Sequence, residues 1–491
     1  MIASAGLRPI PETVSSSSRT TRFALTLAAV LTLSGCMTVG PDYQQPQTAV
    51  PANWSATGEV EAPDATVLAE WWRQYQDPVL DGLVADALAA NLDLATARAQ
   101  LREARARRTL AGAALGPSLT ASGSASRSRT SSESSSGTTS DLFSADFDAS
   151  WEPDIFGGLK RGAEAAEGDL GASAESLRDT RVSLVAEVVL NYVELRTGER
   201  RLAVAEASVA ARGETFDLTR WRRQAGLVSD LDAAQARTEL ESARANLPAL
   251  RTAVTEAQNR LAVLLGRSPG ELASRLTEAD IPQTVVSMAV GIPADTLRQR
   301  PDVRAAERRL AAQTARLGEA EAARYPSFSL SGSLGLSALS LDALGSTGSV
   351  TRSLLAGISA PIFDSGRIAA NIEIQDALLE QARLAYQGAV LTALEDVENA
   401  LVAVANSGER RTQLIQATAS AREALQIAEH RYASGLTDFL NVLDSQRTLL
   451  SLEDQLASST GELASAQIQL YKAVGGGWSP TDSAQDTRTA S

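Results

Sequence analysis

The sequence predicts a mixed α/β membrane protein built as an internal tandem duplication, and three observations support this. Segments recur in order at a constant spacing, and four stretches alternate apolar with small polar residues. Most of the remainder reads as alanine-rich helix, in places far longer than globular helices run. With 491 residues and only 4% aromatic content, the chain suits an elongated body better than one conventional core.

The first element, residues 1–35, reads as a lipoprotein signal peptide. Arg8, Arg19 and Arg22 form a positive leader, followed by an almost uncharged apolar run from Phe23 to Leu33. That run is shorter than the roughly 20 apolar residues a spanning helix needs, and no later stretch meets the requirement. Leu33-Ser34-Gly35-Cys36 resembles a bacterial lipobox, so Cys36, the only cysteine, is expected to become an acylated N-terminus; Met37 after it favours sorting to the outer membrane. Each buried acyl CH₂ contributes about 0.8 kcal/mol of membrane affinity.

Composition excludes much else. A single cysteine rules out a disulfide framework and thiolate zinc sites, and His430 as the only histidine removes most metal and nucleophile–base arrangements. Removing three Arg and one Glu with the leader takes the formal charge from −14 to −16, which gives no affinity for nucleic acid. No G-x-x-x-x-G-K-[ST] is present.

The duplication is read from paired positions. Asp93 and Asp302, Ala97 and Ala306, Leu101 and Leu310, Pro117 and Pro326, and Gly226 and Gly435 are each 209 apart. Phe156 and Phe363 are 207 apart, which implies a two-residue slip in the loop region before them. After a lipidated linker at 36–70, the first repeat covers 71–270. An inter-repeat segment at 271–294 and the second repeat at 295–474 follow, with a disordered tail at 475–491.

Each repeat opens with a helical stretch, Pro78 to Leu115 or Asp295 to Arg324, ended by a proline. Two strands follow. Leu119 to Ser126 and Phe143 to Trp151 alternate in the first repeat; Phe328 to Leu336 and Leu354 to Ile362 do so in the second. The intervening loops are rich in Ser, Gly and Thr. Such lengths suit transmembrane β-strands of about 9–11 residues, although a soluble sheet with one wet face would alternate in the same way. Four strands cannot close a spanning barrel, so membrane insertion would require several chains.

A helix from Gly168 to Arg223 comes next, about 55 residues or roughly 80 Å. Val188, Leu195, Leu202, Val209 and Phe216 recur in it every seven residues, the period of a coiled-coil seam. It turns at Gln224 to Asp230 and returns through Leu231 to Leu265; the second repeat turns at Ala433 to Asp438. Of the remaining marks, Trp71-Trp72 reads as packing, Gly475 to Trp478 as the end of the last helix, and His430 as a surface or packed residue rather than a pH sensor.

"MTVGPDY" after Cys36, Trp71-Trp72, "RPDVRAAE" at Arg300 to Glu307, "PIFDSGR" at Pro361 to Arg367 and "RYASGLTDFLNVLDSQ" at Arg431 to Gln446 occur in order within the duplicated frame. Together they resemble a TolC/OprM-type outer membrane factor, in the NodT-like lipoprotein branch serving tripartite efflux systems of the RND type. The resemblance implies a homotrimer whose four strands per chain form a twelve-stranded transmembrane β-barrel, continued by a long periplasmic α-helical barrel. It also implies a passive conduit in the outer membrane lipid, supplied by an inner membrane pump and a periplasmic adaptor, with no cofactor beyond the lipid.

The resemblance further places a periplasmic gate at Leu440 and Asp444, one helical turn apart, with Asn441 where some members carry a second acid. Three copies would stack an apolar ring on an acidic one, which suits a latch and a cation filter. Asp232 and Tyr432 fall at positions that join the hairpins, and a hydrogen bond between them is expected in the closed state. Gly226, Leu227 and Ser229 in one tip, with Gly435, Leu436 and Thr437 in the other, are the expected adaptor contacts. A type I protein secretion duct and a lipid-tethered periplasmic coiled-coil scaffold remain as alternatives. An enzyme is not expected, and no motif selects the exported substrate.

Overall fold

A computed structural model describes residues 38–46, 50–54, 68–131, 133, 137–284 and 297–478. The signal segment, Cys36 and the chain beyond Trp478 lie outside these residues. After a 3-10 turn at Trp71–Tyr75 come α1 (Pro78–Ala90), α2 (Leu92–Ala113), β1 (Ser118–Arg129), β2 (Thr139–Trp151), α3 (Gly158–Gln224) and α4 (Asp230–Leu264). The second series is α5 (Pro301–Ala322), β3 (Ser327–Ala338), β4 (Val350–Ser359), α6 (Arg367–Ala433) and α7 (Phe439–Ala473).

The spacing of 209 governs the structure throughout. α2 and α5, α3 and α6, and α4 and α7 begin and end 209 residues apart. The hairpin registers repeat too: Ser118 pairs with Ser150 as Ser327 pairs with Ser359, and Arg127 with Asp141 as Leu336 with Val350. The two-residue slip expected from Phe156 and Phe363 is therefore not a slip in the fold. Those phenylalanines occupy inequivalent places, and Gly157 and Gly366, both with positive φ, are the true counterparts at the entry to α3 and α6.

The chain divides into a strand unit and a helical unit. In the strand unit one antiparallel sheet runs β1-β2-β3-β4. Cross-strand partners place Ala121, Phe147 and Leu334 on one face. The opposite face carries hydroxyl pairs, Ser124 with Ser144 at 2.9 Å and Ser333 with Ser353 at 2.7 Å. Within one chain the apolar face is uncovered, Phe147 being 58% and Leu354 80% exposed. β4 stops at Ser359, short of the expected Ile362; Pro361, just beyond, has no amide to donate to a ladder.

In the helical unit the expected single helix from Pro78 to Leu115 is two. Asn91 breaks it: its Oδ1 accepts from the Leu94 amide at 2.9 Å, capping α2, while its Nδ2 donates to the Leu264 carbonyl at 2.9 Å. The core gathers Trp71, Leu80, Leu83, Tyr192, Leu261 and Ile468, with Trp71 stacked on Tyr471 at 4.8 Å. Of the seven-residue seam, Val188 and Leu195 are buried, whereas Leu202, Val209 and Phe216 are half-buried.

The boundary of the tail at Gly475 is corrected. The Gly477 amide donates to the Leu68 carbonyl at 2.8 Å, and Trp478 is buried. Its ring receives the guanidinium groups of Arg178 and Arg304 at 5.0 and 5.4 Å, and both arginines pair with Glu175. The last turn is therefore fastened onto α3 and α5 by stacking as well as burial. Trp478→Ala is expected to destabilise the helical unit by about 3–5 kcal/mol, read from denaturant unfolding of the detergent-solubilised protein.

Candidate functional site

The two hairpin turns are built alike, and sequence explains why. At each, a glycine in the left-handed region, Gly226 or Gly435 (φ 73° in both), closes the preceding helix. The Leu227 amide reaches the Arg222 carbonyl at 2.9 Å, and the Leu436 amide reaches that of Arg431 at 2.8 Å, the bonding of a Schellman cap. The turns differ in how the return helix starts. Ser229 and Asp232 form a reciprocal capping box on α4, whereas Asp438 at the start of α7 makes no side-chain cap. Asn441, the counterpart of Asp232, instead donates to Thr437 Oγ1 at 2.7 Å.

The expected bond between Asp232 and Tyr432 is not formed in this chain. Asp232 Oδ2 accepts from the Ser229 amide at 3.0 Å and its hydroxyl at 2.8 Å, which fixes the carboxylate in its own turn. Among the described residues, the buried Tyr432 hydroxyl has no hydrogen-bond partner. Its ring lies against Phe439, centroids 5.4 Å apart, and carries the Arg222 guanidinium 4.7 Å above it. Arg222 also donates to the Tyr432 and Ala433 carbonyls at 3.4 and 3.3 Å, complementing the negative end of α6. Arg222 thus joins the hairpins where Asp232 was expected to.

Further along, three helices meet at Glu239. This α4 carboxylate receives Arg447 of α7 and Arg212 of α3, and Arg201 of α3 pairs with Asp454 of α7 at 2.7 Å. Between these ion pairs and the tips lies an apolar plug of Ala236, Tyr432, Phe439, Val442 and Leu443. α7 therefore has one face sealed against the first hairpin. Leu440, 54% exposed, and Asp444, whose side chain is 75% exposed, lie on the other face with Asn441. Arg447 Nη1 stands 3.8 Å from Asp444 Oδ1, so the same arginine touches the sealed and the open face. The tip residues Gly226, Leu227, Ser229, Gly435 and Leu436 are exposed, and Thr437 is half-buried. His430 is an exposed helix residue whose carbonyl accepts from the Ser434 amide and hydroxyl.

No group of His, Cys, Asp or Glu able to hold a metal occurs among the described residues, and no described helix is long and apolar enough to cross a membrane. Sequence reasoning missed Arg222, Glu239 and Arg447. Ser229-x-x-Asp232 was the available warning, since this spacing before a helix commits the acid to its own cap.

The model of the family described as outer membrane efflux protein matches the chain twice, over residues 83–267 and 292–476, again 209 apart. The chain belongs to the outer membrane efflux protein family. Nodulation protein T of Rhizobium leguminosarum bv. trifolii is 34% identical over 94% of this chain and 98% of its own length. Outer membrane protein OprJ of Pseudomonas aeruginosa is 34% identical, covering 92% and 95%. The solved structure of the outer-membrane channel OprN superposes with a TM-score of 0.86 at 36% identity, covering 90% of this chain and all of that one.

The efflux protein is accordingly an outer membrane channel component with a periplasmic helical domain, a passive conduit and not an enzyme. Its fold class is that of trimeric channels in which four strands per chain build a twelve-stranded barrel continued by a helical one. The secretion-duct and tethered-scaffold readings give way to efflux.

Arg447 first, and Arg212 beside it, hold the Glu239 carboxyl below the usual carboxylate range. A depressed carboxylate stabilises the fold above its unfolded pKa of about 4.3, and that stability is lost as pH falls through the lower folded value. Glu239→Gln is expected to weaken the junction by about 1–2 kcal/mol at neutral pH, Arg447 being half exposed. Distance measurements between spin labels on the exposed Leu227 and Leu436 positions should show wild-type hairpins separating only in acid, and the variant separating with a flatter pH dependence.

Proposed function

We propose that the channel exports small molecules through a periplasmic gate formed by three copies of Leu440 and Asp444, with Asn441 beside them. The observation that carries this reading is the two-faced start of α7: Phe439, Val442, Leu443 and Gln446 are sealed against the first hairpin, which leaves Leu440 and Asp444 for whatever lies opposite. Around a threefold axis an apolar ring excludes water, and an acidic ring a helical turn away repels itself unless partly neutralised. Arg447, shared between Glu239 and Asp444, is the within-chain group placed to supply that neutralisation. Asn441 lacks the charge a carboxylate would add, so the acidic ring is a single one.

The wider assembly completes the proposal. An inner membrane pump supplies the energy, and a periplasmic adaptor seats on the exposed tips at Gly226, Leu227, Ser229, Gly435, Leu436 and Thr437. Cys36 carries the lipid that tethers the N-terminus to the outer membrane.

Single-channel conductance in planar bilayers tests the gate. Wild-type protein is expected to conduct weakly and with cation preference, and Leu440→Ala with Asp444→Ala to raise the conductance severalfold while reducing that preference. Equal conductance in both would move the gate elsewhere in the duct.

A further inference from the structure

Residues 38–42 are docked at a site that the duplication does not repeat. The Val39 amide donates to the Phe156 carbonyl at 3.0 Å. Arg161, in the first turn of α3, has a side chain only 3% exposed. Its Nε donates to the Val39 carbonyl at 3.2 Å, and its Nη2 to the Gly40 carbonyl at 3.1 Å and Asp42 Oδ1 at 2.7 Å. Nη1 donates to Glu164 at 2.8 Å. Burial of a guanidinium is unfavourable unless its donors are paired, and three of these four acceptors come from residues 39–42.

Two glycines make room for the segment. Gly40, with φ 89°, crosses Gly318 of α5 backbone to backbone, where a Cβ on Gly40 would overlap the Gly318 Cα. A Cβ on Gly157 would fall 2.8 Å from Thr38 Cγ2. The duplication does not account for this arrangement. The counterparts of Arg161 and Gly318 are Ala370 and Thr109, and the space beside Gly366, the counterpart of Gly157, is open. The cradle, shared between Arg161 and Gly157 of the first repeat and Gly318 of the second, has no copy at the positions 209 residues away.

The geometry points to a docking cradle, Arg161 with Gly157 and Gly318, that receives residues 38–42 and so fixes where acyl chains on Cys36 enter the bilayer. This rests on the lipidation proposed above. Cys36 stands two residues before Thr38 in the sequence, so chain length alone keeps its backbone within about 7 Å of that docked residue's. A lipid on a loose tether samples a wide area; one held at the root of the sheet is presented to the membrane together with the strands, at high effective concentration. Arg161 is a positioning residue in this scheme.

Hydrogen exchange of the purified protein in lipid nanodiscs, read on the peptide carrying the Val39 amide, tests the cradle. Slow exchange is expected in wild type, and exchange faster by about tenfold or more in Arg161→Met and, as a milder change at an exposed partner, in Asp42→Ala, with β1 and β3 unchanged. Cys36→Ser, exported on a cleavable signal, should keep the protection, because every contact described is made by protein. Loss of protection in Cys36→Ser, or none in Asp42→Ala and Arg161→Met, overturns the cradle.

The anchor is read separately by mass spectrometry of the N-terminal peptide and by a nitroxide at Pro41→Cys. An acylated peptide with the label immobile at one membrane depth in wild type, and mobile in the Arg161→Met background, is the expected result. An unmodified Cys36 with Val39 still protected would overturn the lipid reading and the anchoring role while leaving the docked segment intact. An acylated protein whose label is equally mobile in both backgrounds would overturn the positioning role alone.

Discussion

The backbone groups along the two free edges of the β1–β4 sheet constrain everything else in this molecule. In lipid no water is available to satisfy them, and a four-stranded sheet has no means of closing on itself. The chain is thereby committed to pooling its strands with other copies. The exposed apolar side chains of one face and the hydroxyl pairs of the other then acquire their meaning together, lipid outside and water inside. The length of the strands, the small residues on the wet face and the uncovered Phe147 and Leu354 all answer to that single demand.

The helical unit works under a different constraint. Its ordinary core, around Trp71, Tyr192 and Ile468, is fastened by the Trp478 stack and the Asn91 break, whereas toward the tips the contacts become an alternation of ion pairs and one small apolar plug. Arginine dominates those contacts. Its fork can serve two acceptors at once, as Arg447 does between Glu239 and Asp444 and Arg222 does between two carbonyls and a ring. Half-exposed joints of this kind come apart with less loss than a packed core, which suits the gate proposed at this end.

Much of this was legible in the sequence because duplication prints each feature twice. Gly226 with Gly435 and Pro117 with Pro326 locate the turns, and period-two alternation locates the strands. The failures have physical causes. Phe156 and Phe363 matched by letter and not by place, since the positive-φ glycines set the register. Asp232 does not reach Tyr432 because a capping serine three residues before it is a nearer partner. Arg161 stood in view within "FGGLKRG", yet its partners lie about 120 residues earlier in the chain, a separation that no periodicity reports.

The paired glycine caps at the hairpin tips also have a mechanical side. Each turn is only a few residues long and is bound back onto the helix it ends, so it holds no slack that could unwind under load. A helix pair closed so stiffly behaves as a lever: a push at its end is passed along the shaft instead of being absorbed in the bend. A load applied at the tips would therefore reach contacts many turns away, such as the ion pairs that join the two helix pairs.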